Sequence, residues 1–137
     1  MYVSDDMAAV VSPAFYHEFF VPYNQLVSAQ FGGISIHCCR GYQQNLEEIA
    51  RMDGFMSFDA DACHNDPDAI AHALTADTKC CRPRGIWHAW ADNADEAVEK
   101  ALFAAGHGIG LILTVKCSTV TEGAKAVAAV ENAAAQG

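Results

Sequence analysis

Short apolar runs alternate with longer amphipathic segments along the chain, and glycine or proline marks many of the boundaries. Apolar runs of four to seven residues predict strands, whereas apolar positions recurring every three or four residues predict helices. Strands are predicted at 34–39, 55–58, 78–81 and 109–115, with the end of another near Tyr2, and helices at 13–29, 46–52, 67–74, 93–105 and 121–135.

Several helix boundaries carry specific signals. Ser12 and Pro13 suit the N-cap and first helical position, and Gly32 and Gly33 suit the C-terminal end of that helix. Pro22 lies inside it and should kink it or divide it in two. Asn45 is predicted to cap the next helix, and either Asn93 or Asp95 the fourth. Apolar residues recur at helical spacing along 13–29, namely Phe15, Phe19, Tyr23, Leu26 and Val27.

The order of elements predicts an α/β fold. Nearly continuous apolar strands that alternate with amphipathic helices are typical of a parallel sheet covered by helices. A Gly-rich phosphate fingerprint after a strand is absent from the sequence, so a nucleotide-binding doubly wound sheet is not favoured. Four full βα units and a stub of a fifth make about half of a TIM barrel, which needs roughly 250 residues. We expect residues 1–137 to form a single domain.

Composition narrows the class of protein further. The chain is 52% hydrophobic and 18% charged, and its apolar runs are too short to span a membrane. A net charge of -9 argues against nucleic acid as a partner. We read no signal peptide in the first twenty residues and expect a cytoplasmic protein. The six cysteines are therefore interpreted as reduced thiols or metal ligands rather than disulfides, with Cys38 and one of Cys80 and Cys81 buried as small hydrophobes.

Candidate chemistry gathers where the predicted strands end. In a strand, alternate residues share a face, so Ser35, His37 and Cys39 lie on one face and Cys38 on the other. An imidazole and a thiol on one face can both bind zinc, and three protein ligands with an open fourth position are typical of catalytic zinc. Cys117, at the end of the last strand, is a third candidate ligand. Other polar residues at strand ends are Asp5, Asp6, Asp59, Asp61, Cys63, His64, Arg82 and Arg84.

Most of the remaining polar and aromatic residues have structural interpretations. Asp61 and Asp66 are expected to cap the helices that follow them. Trp87 and Trp90, on either side of His88, are expected at packing or rim positions rather than at a cofactor. His64 is interpreted as an exposed loop residue more readily than as a site residue. The histidines in or beside helices are expected to be structural, namely His17, His72 and His107.

The first 39 residues resemble the C-terminal half of the uroporphyrinogen decarboxylase superfamily. The resemblance rests on the motifs Ser4-Asp5-Asp6, Ser12-Pro13 with Phe15-Tyr16 and Phe19, Pro22-Tyr23, and Ile36-His37-Cys38-Cys39. The pattern H-x-C, followed about eighty residues later by a strand-end Cys, is similar to the zinc motif of the corrinoid:coenzyme M methyltransferase branch. The helix before each strand and Asp59 at a strand end also fit this branch, so that the resemblance covers nearly the whole chain.

The resemblance implies a TIM-barrel methyltransferase in which a zinc-bound thiolate takes a methyl group from a corrinoid on a partner protein. It implies that His37, Cys39 and Cys117 bind zinc, that Asp5 or Asp6 acts near the site and that Asp59 belongs to it. The acceptor would be a small thiol such as coenzyme M. The chain has Arg40 where the family usually has Gly after H-x-C, and residues 88–93 and Cys80-Cys81 also depart from the family pattern.

Two alternatives remain from the sequence. One is a metal-free tetrapyrrole domain like the decarboxylases, in which Arg40, Arg82 and Arg84 would pair with carboxylates. The other is a non-catalytic half-barrel that binds a corrinoid protein or a second half. Family members are more than twice as long, and half a barrel leaves two sheet edges open. We therefore expect a homo-oligomer, in which two copies close one barrel, unless the sequence comes from a truncated gene.

Overall fold

Five parallel strands form one sheet in the computed structural model, which describes residues 1–60, 64–76 and 85–135. Neighbouring strands in the sheet are also consecutive in the chain, which is the order found in a (β/α) barrel. The fold is therefore α/β, with the strand order of half a barrel. The strands are β1 (Tyr2–Ser4), β2 (Ile34–His37), β3 (Phe55–Asp59), β4 (Ile86–Ala91) and β5 (Gly110–Val115).

Helices connect the strands and return the chain to the same end of the sheet each time. Two short 3-10 turns, Asp6–Ala9 and Gln43–Asn45, lie after β1 and β2. None of the helices in the described part of the chain is long and apolar enough to cross a membrane. The helices are α1 (Pro13–Phe19), α2 (Val21–Phe31), α3 (Leu46–Ala50), α4 (Pro67–Thr75), α5 (Ala94–His107) and α6 (Val120–Ala134).

The helix boundaries predicted from capping residues are largely confirmed. Ser12 accepts a hydrogen bond from the Phe15 backbone N–H at the start of α1, and Asn93 accepts one from Glu96 at the start of α5. Asp66 caps α4 in the same way. The predicted helix at 13–29 is divided immediately before the Val21-Pro22 pair, so that α1 and α2 are separate helices.

One predicted cap is wrong. The side chain of Asn45 makes no capping hydrogen bond at the start of α3. It is fully buried, and its Nδ2 donates instead to the backbone oxygens of Ala8 (2.7 Å) and Val11 (3.0 Å). Asn45 therefore ties the loop after β1 to the loop after β2, because the buried carbonyls of those loops need donors.

The strand between α4 and α5 also differs from the prediction. The sequence predicted a strand at 78–81, which lies outside the described residues. Within the described part, the strand that pairs with β3 and β5 is β4, built from residues that we interpreted as packing and rim positions. Burial alternates along β4 as it does in a half-buried strand, because Trp87, Ala89 and Ala91 are buried and Trp90 is exposed.

The two faces of the sheet differ in chemistry. One face packs against the helices, and its side chains belong to the single hydrophobic core, among them Ile36, Phe58 and Trp87. The other face carries the alternate residues, and the described helices leave it open; we call it the open face. Most of its side chains are polar or aromatic, and the aliphatic ones are Ile86 and Ile112; the others are Tyr2, Ser4, Ser35, His37, Ser57, Asp59, His88, Trp90 and Thr114.

The apolar stripe of α1 and α2 points away from this core. Phe15, Phe19, Tyr23 and Leu26 are all exposed, whereas Tyr16, Val21 and Ser28 are the buried positions of these helices. Of the five apolar residues that recur at helical spacing, only Val27 packs against the core. The periodicity identified the helices correctly, but most of the stripe is surface in this structure.

Candidate functional site

His37 and Cys39 lie side by side at the carboxyl end of β2. The distance between His37 Nε2 and Cys39 Sγ is 3.0 Å. Their neighbour Cys38 is buried on the opposite face, as strand alternation predicted. The Cys39 backbone N–H donates to Asp6 Oδ1 at 3.1 Å, which fixes the turn that carries the thiol. A thiol and an imidazole are thus held together at the edge where catalytic groups of βα folds lie.

Asp59, at the carboxyl end of β3, lies directly beside His37. The two residues are register partners, and His37 Nδ1 is 3.1 Å from Asp59 Oδ2. The distance is that of an ion pair, but the geometry is not that of a hydrogen bond, so His37 Nδ1 is buried without a hydrogen-bond partner in the described part of the chain. At this distance a small rotation of the imidazole ring would align Nδ1 with the carboxylate oxygen.

His88 reaches the same carboxylate from the other side. It is the register partner of Asp59 on β4, and its Nδ1 is 3.6 Å from Asp59 Oδ2. The other ring nitrogen, Nε2, is 3.0 Å from the Thr114 hydroxyl on β5. The prediction from sequence gave packing or rim positions to the flanking Trp87 and Trp90 and assigned no role to His88, so this residue was missed. The signal that would have found it is its place two residues before Trp90 in an alternating run.

Two aromatic side chains complete the group around Asp59. The Tyr2 hydroxyl donates to Asp59 Oδ2, and Trp90 Nε1 donates to Oδ1 at 3.1 Å. Tyr2 stacks on His37 with ring centres 5.8 Å apart, and Trp90 stacks on His88 at 6.0 Å. We call these five residues, Tyr2, His37, Asp59, His88 and Trp90, the Asp59 cluster.

The environment of the Asp59 cluster keeps the Tyr2 hydroxyl protonated, so that it remains a hydrogen-bond donor. Partial burial, the hydrogen bond to Asp59 and the charge of that carboxylate, in this order, raise the pKa of the Tyr2 phenol above its ordinary value of 10. Asp59 itself is only 3% exposed. A buried carboxylate is costly unless it is hydrogen-bonded, and the Tyr2 and Trp90 donors supply this stabilisation.

Asp5 and Asp6 have different surroundings. The buried Asp5 carboxylate accepts hydrogen bonds from the Tyr16 hydroxyl (2.7 Å) and from Asn24 (3.2 Å), both on the helices. It therefore anchors α1 and α2 to β1 and does not belong to the Asp59 cluster. Asp6 is exposed and contacts the site only through the Cys39 backbone. Of the three predicted catalytic carboxylates, Asp59 alone is in the cluster.

Cys117 follows β5 and is an exposed free thiol, as is Cys39, whereas the free thiol of Cys38 is buried. It borders a cleft of about 200 Å³ at the starts of α5 and α6, together with Lys116 and Lys125. The other three cysteines, Cys63, Cys80 and Cys81, lie outside the described residues, as do Asp61, Arg82 and Arg84. His64 is exposed, as the sequence suggested.

The predicted zinc ligands are only partly assembled. Across residues 1–60, 64–76 and 85–135, no three His, Cys, Asp or Glu side chains form a group that could hold a metal ion. His37 and Cys39 are adjacent, whereas Cys117 is not grouped with them. A three-ligand zinc site thus remains a prediction.

Comparison of the chain with protein-family models, with curated proteins and with solved structures gives no match. The geometry of the site and the chemistry of its residues are therefore the basis for a proposed function.

Proposed function

We propose that the protein is a zinc-dependent methyltransferase-type domain that transfers a methyl group from a corrinoid to a thiol. The observation that carries the proposal is the His37–Cys39 pair, 3.0 Å apart, with the Asp59 carboxylate behind the imidazole. A carboxylate on the far nitrogen of a histidine is the usual arrangement behind a metal-binding imidazole, because it fixes the orientation of the ring.

His37 and Cys39 are positioned to bind one zinc ion, whereas Cys117 is not grouped with them. Zinc–nitrogen and zinc–sulfur bonds of about 2.0 and 2.3 Å place two ligands of a tetrahedral ion roughly 3.5 Å apart. The observed His37–Cys39 distance is somewhat shorter, and the exposed Cys39 side chain can open it by rotation. Cys117 would have to move toward them from the end of β5 to become the third ligand.

The chain's own residues have definable roles in this proposal. Asp59 orients His37, and Asp6 holds the backbone of Cys39. Zinc, when bound, would keep a substrate thiol as thiolate, which is its nucleophilic form. The substrate thiolate would then take the methyl group from the corrinoid, so that a carbon–sulfur bond forms while the cobalt–carbon bond breaks and its electron pair stays on the cobalt. A large partner would reach the site from the carboxyl ends of the strands, where His37 and Cys39 lie.

The proposed partners follow from this chemistry. The methyl donor is a corrinoid carried by another protein, and the acceptor is a small thiol such as coenzyme M. A reducing cytoplasm suits a site built from free thiols. The net charge of -9 supports a protein or small-molecule partner over nucleic acid. We also propose a homo-oligomer, because the two outer strands of the sheet each lack one neighbour within residues 1–60, 64–76 and 85–135.

Zinc content tests the proposal directly. We expect about one zinc per purified chain by elemental analysis, and less than a tenth of that in His37→Ala and Cys39→Ala, because each variant removes one of the two adjacent ligands. Cys117→Ala should lose zinc as well if Cys117 closes the site.

Cys38→Ala is the matched control, since Cys38 is adjacent in sequence but is buried on the other face and should leave zinc content unchanged. A wild-type chain without zinc, or zinc retained in both His37→Ala and Cys39→Ala, would contradict the proposal. Methylation of a thiol by methylcobalamin then separates an enzyme from a half-barrel that binds zinc without turnover.

A further inference from the structure

The Asp59 cluster has a second feature that a zinc site does not need, namely two exposed aromatic rings that meet at one buried carboxylate. Tyr2 is 53% exposed and Trp90 is 48% exposed, although the edge of each ring is fixed to Asp59 by a hydrogen bond. Each ring is also supported by a stacked imidazole, His37 under Tyr2 and His88 under Trp90. Their exposed surfaces are thus held in place before any ligand arrives.

The charge of this surface is negative. Asp59 carries the one carboxylate that the five strands contribute, and the strands contribute no Lys or Arg. In the described part of the chain, no Lys or Arg pairs with Asp59, whose polar neighbours are a phenol, an indole and two imidazoles. A phosphate, sulfonate or carboxylate ligand on the open face would therefore be repelled.

Exposed Tyr and Trp rings beside a carboxylate have a specific complement. The faces of these rings are electron-rich, and they attract a cation within about 6 Å of the ring centre, most strongly for Trp. A buried carboxylate with which no described Lys or Arg pairs adds direct charge attraction in a medium that screens less than water. Fixed rings also lower the entropy cost of binding.

We propose that the Asp59 cluster is a binding site for a small organic cation, a quaternary ammonium group or a protonated amine, seated against Tyr2 and Trp90 next to Asp59. The site lies on the open face, adjacent to His37 and Cys39, and its occupancy does not require zinc. This proposal goes beyond the proposed function, because it states that the molecule bound on the open face is positively charged.

Choline is a suitable probe, because its neutral isostere 3,3-dimethylbutan-1-ol has the same shape without the charge. We expect choline to shift the Trp90 indole N–H resonance of the full-length, zinc-free protein with a millimolar Kd. The neutral isostere should bind at least about tenfold more weakly, since it lacks the attraction to the rings and to Asp59. Equal binding of both molecules, or no binding of choline at 100-fold excess over the protein, would overturn the proposal.

Two variants make the assignment specific to the cluster. Asp59→Asn keeps the shape but removes the charge, and Trp90→Leu removes the ring; each should weaken choline binding about tenfold or more. The weakening is read from calorimetry, because Trp90→Leu removes the reporter. Phe19→Leu is the matched control, because Phe19 is also 48% exposed but lies on α1, and it should bind choline as the wild type does.

Failure of this proposal is distinguishable from failure of the zinc proposal. The choline measurement uses zinc-free protein, whereas the zinc measurement uses no organic cation. If Asp59→Asn should fail to fold, Trp90→Leu still decides the question, because its side chain is half exposed and its loss leaves the core intact. Choline binding that is unchanged in Trp90→Leu would overturn the assignment.

Discussion

Gly54, just before β3, shows how a single residue controls the approach of an element to the sheet. Its φ is +75°, and a Cβ at this position would lie 2.1 Å from Ser28 Oγ. Ser28 is buried on α2 and donates to the Asp53 backbone oxygen at 2.8 Å, so it cannot move without losing that bond. The absence of a side chain at Gly54 therefore allows α2 to pack where β3 begins.

We predict that Gly54→Ala lowers the free energy of unfolding by about 2–4 kcal/mol. Two costs add up, because alanine is strained at this left-handed φ and its Cβ would displace the Ser28 side chain. Gly32→Ala is the control, because Gly32 has a similar φ of +70° but nothing lies within 4 Å of a Cβ there. It should cost only about 1 kcal/mol. Urea unfolding of the two variants measures the difference, and equal losses would show that Ser28 plays no part.

Residue chemistry alone identified part of the candidate site. His37, Cys39 and Asp59 were predicted because each is a metal-capable or acidic residue at the end of an apolar run. His88 and Trp90 were missed because their segment does not show an apolar run followed by polar residues, which was the pattern that identified the other strand ends. Their role depends on Asp59, which comes from another strand and is brought to them by pairing of β3 with β4.

At the scale of elements, capping residues and alternation identified most helices and strands, because these signals act within a few residues. Strand pairing is different. Among the strands that the structure describes, the outer ones, β1 and β5, each have one neighbour, so each presents unpaired backbone groups. Two copies related by a two-fold axis along the strand direction would place β5 of one beside β1 of the other, with both contacts parallel.

We predict that the protein has at least twice the mass of one 14.7 kDa chain in light scattering, because the described part of the chain leaves both sheet edges and the open face uncovered and association would cover them. Ile112→Lys should shift the protein toward monomer, since Ile112 is 50% exposed on the open face of β5. Val127→Lys, at a position of α6 that is 58% exposed, is the control and should keep the wild-type mass. A monomer at all concentrations would refute the association.

Across the whole molecule, three phenols are held in their protonated form. Burial, followed by hydrogen bonding to Asp5 and the charge of that carboxylate, raises the pKa of Tyr16 above its ordinary value of 10. Burial also raises the pKa of Tyr42, and the pKa of Tyr2 is raised in the same direction. A raised folded-state pKa favours the protonated native state, so this stability is complete below pH 10 and is lost as the pH rises further.

We predict that the free energy of unfolding falls from about pH 10 upward, by about 1.4 kcal/mol per pH unit for each of the buried phenols Tyr16 and Tyr42, and by less for the half-exposed Tyr2. Tyr16→Phe removes one of them and should make the decline shallower by about that amount. Urea unfolding between pH 8 and 11.5 measures the slope, and comparing slopes allows for the lower starting stability caused by loss of the Asp5 hydrogen bond. Identical slopes would show that Tyr16 does not contribute.

The sequence by itself determined the alternation of strands and helices, the parallel α/β class and, along the strand that ends at His37 and Cys39, the face that each residue occupies. These depend on local periodicity and on residues that cap helices nearby. The tertiary structure decided which strand ends meet. It joined Asp59 to His37, His88, Tyr2 and Trp90, left Cys117 apart and turned the α1–α2 stripe outward. Register and helix orientation depend on contacts between residues distant in the chain, which a single sequence does not display.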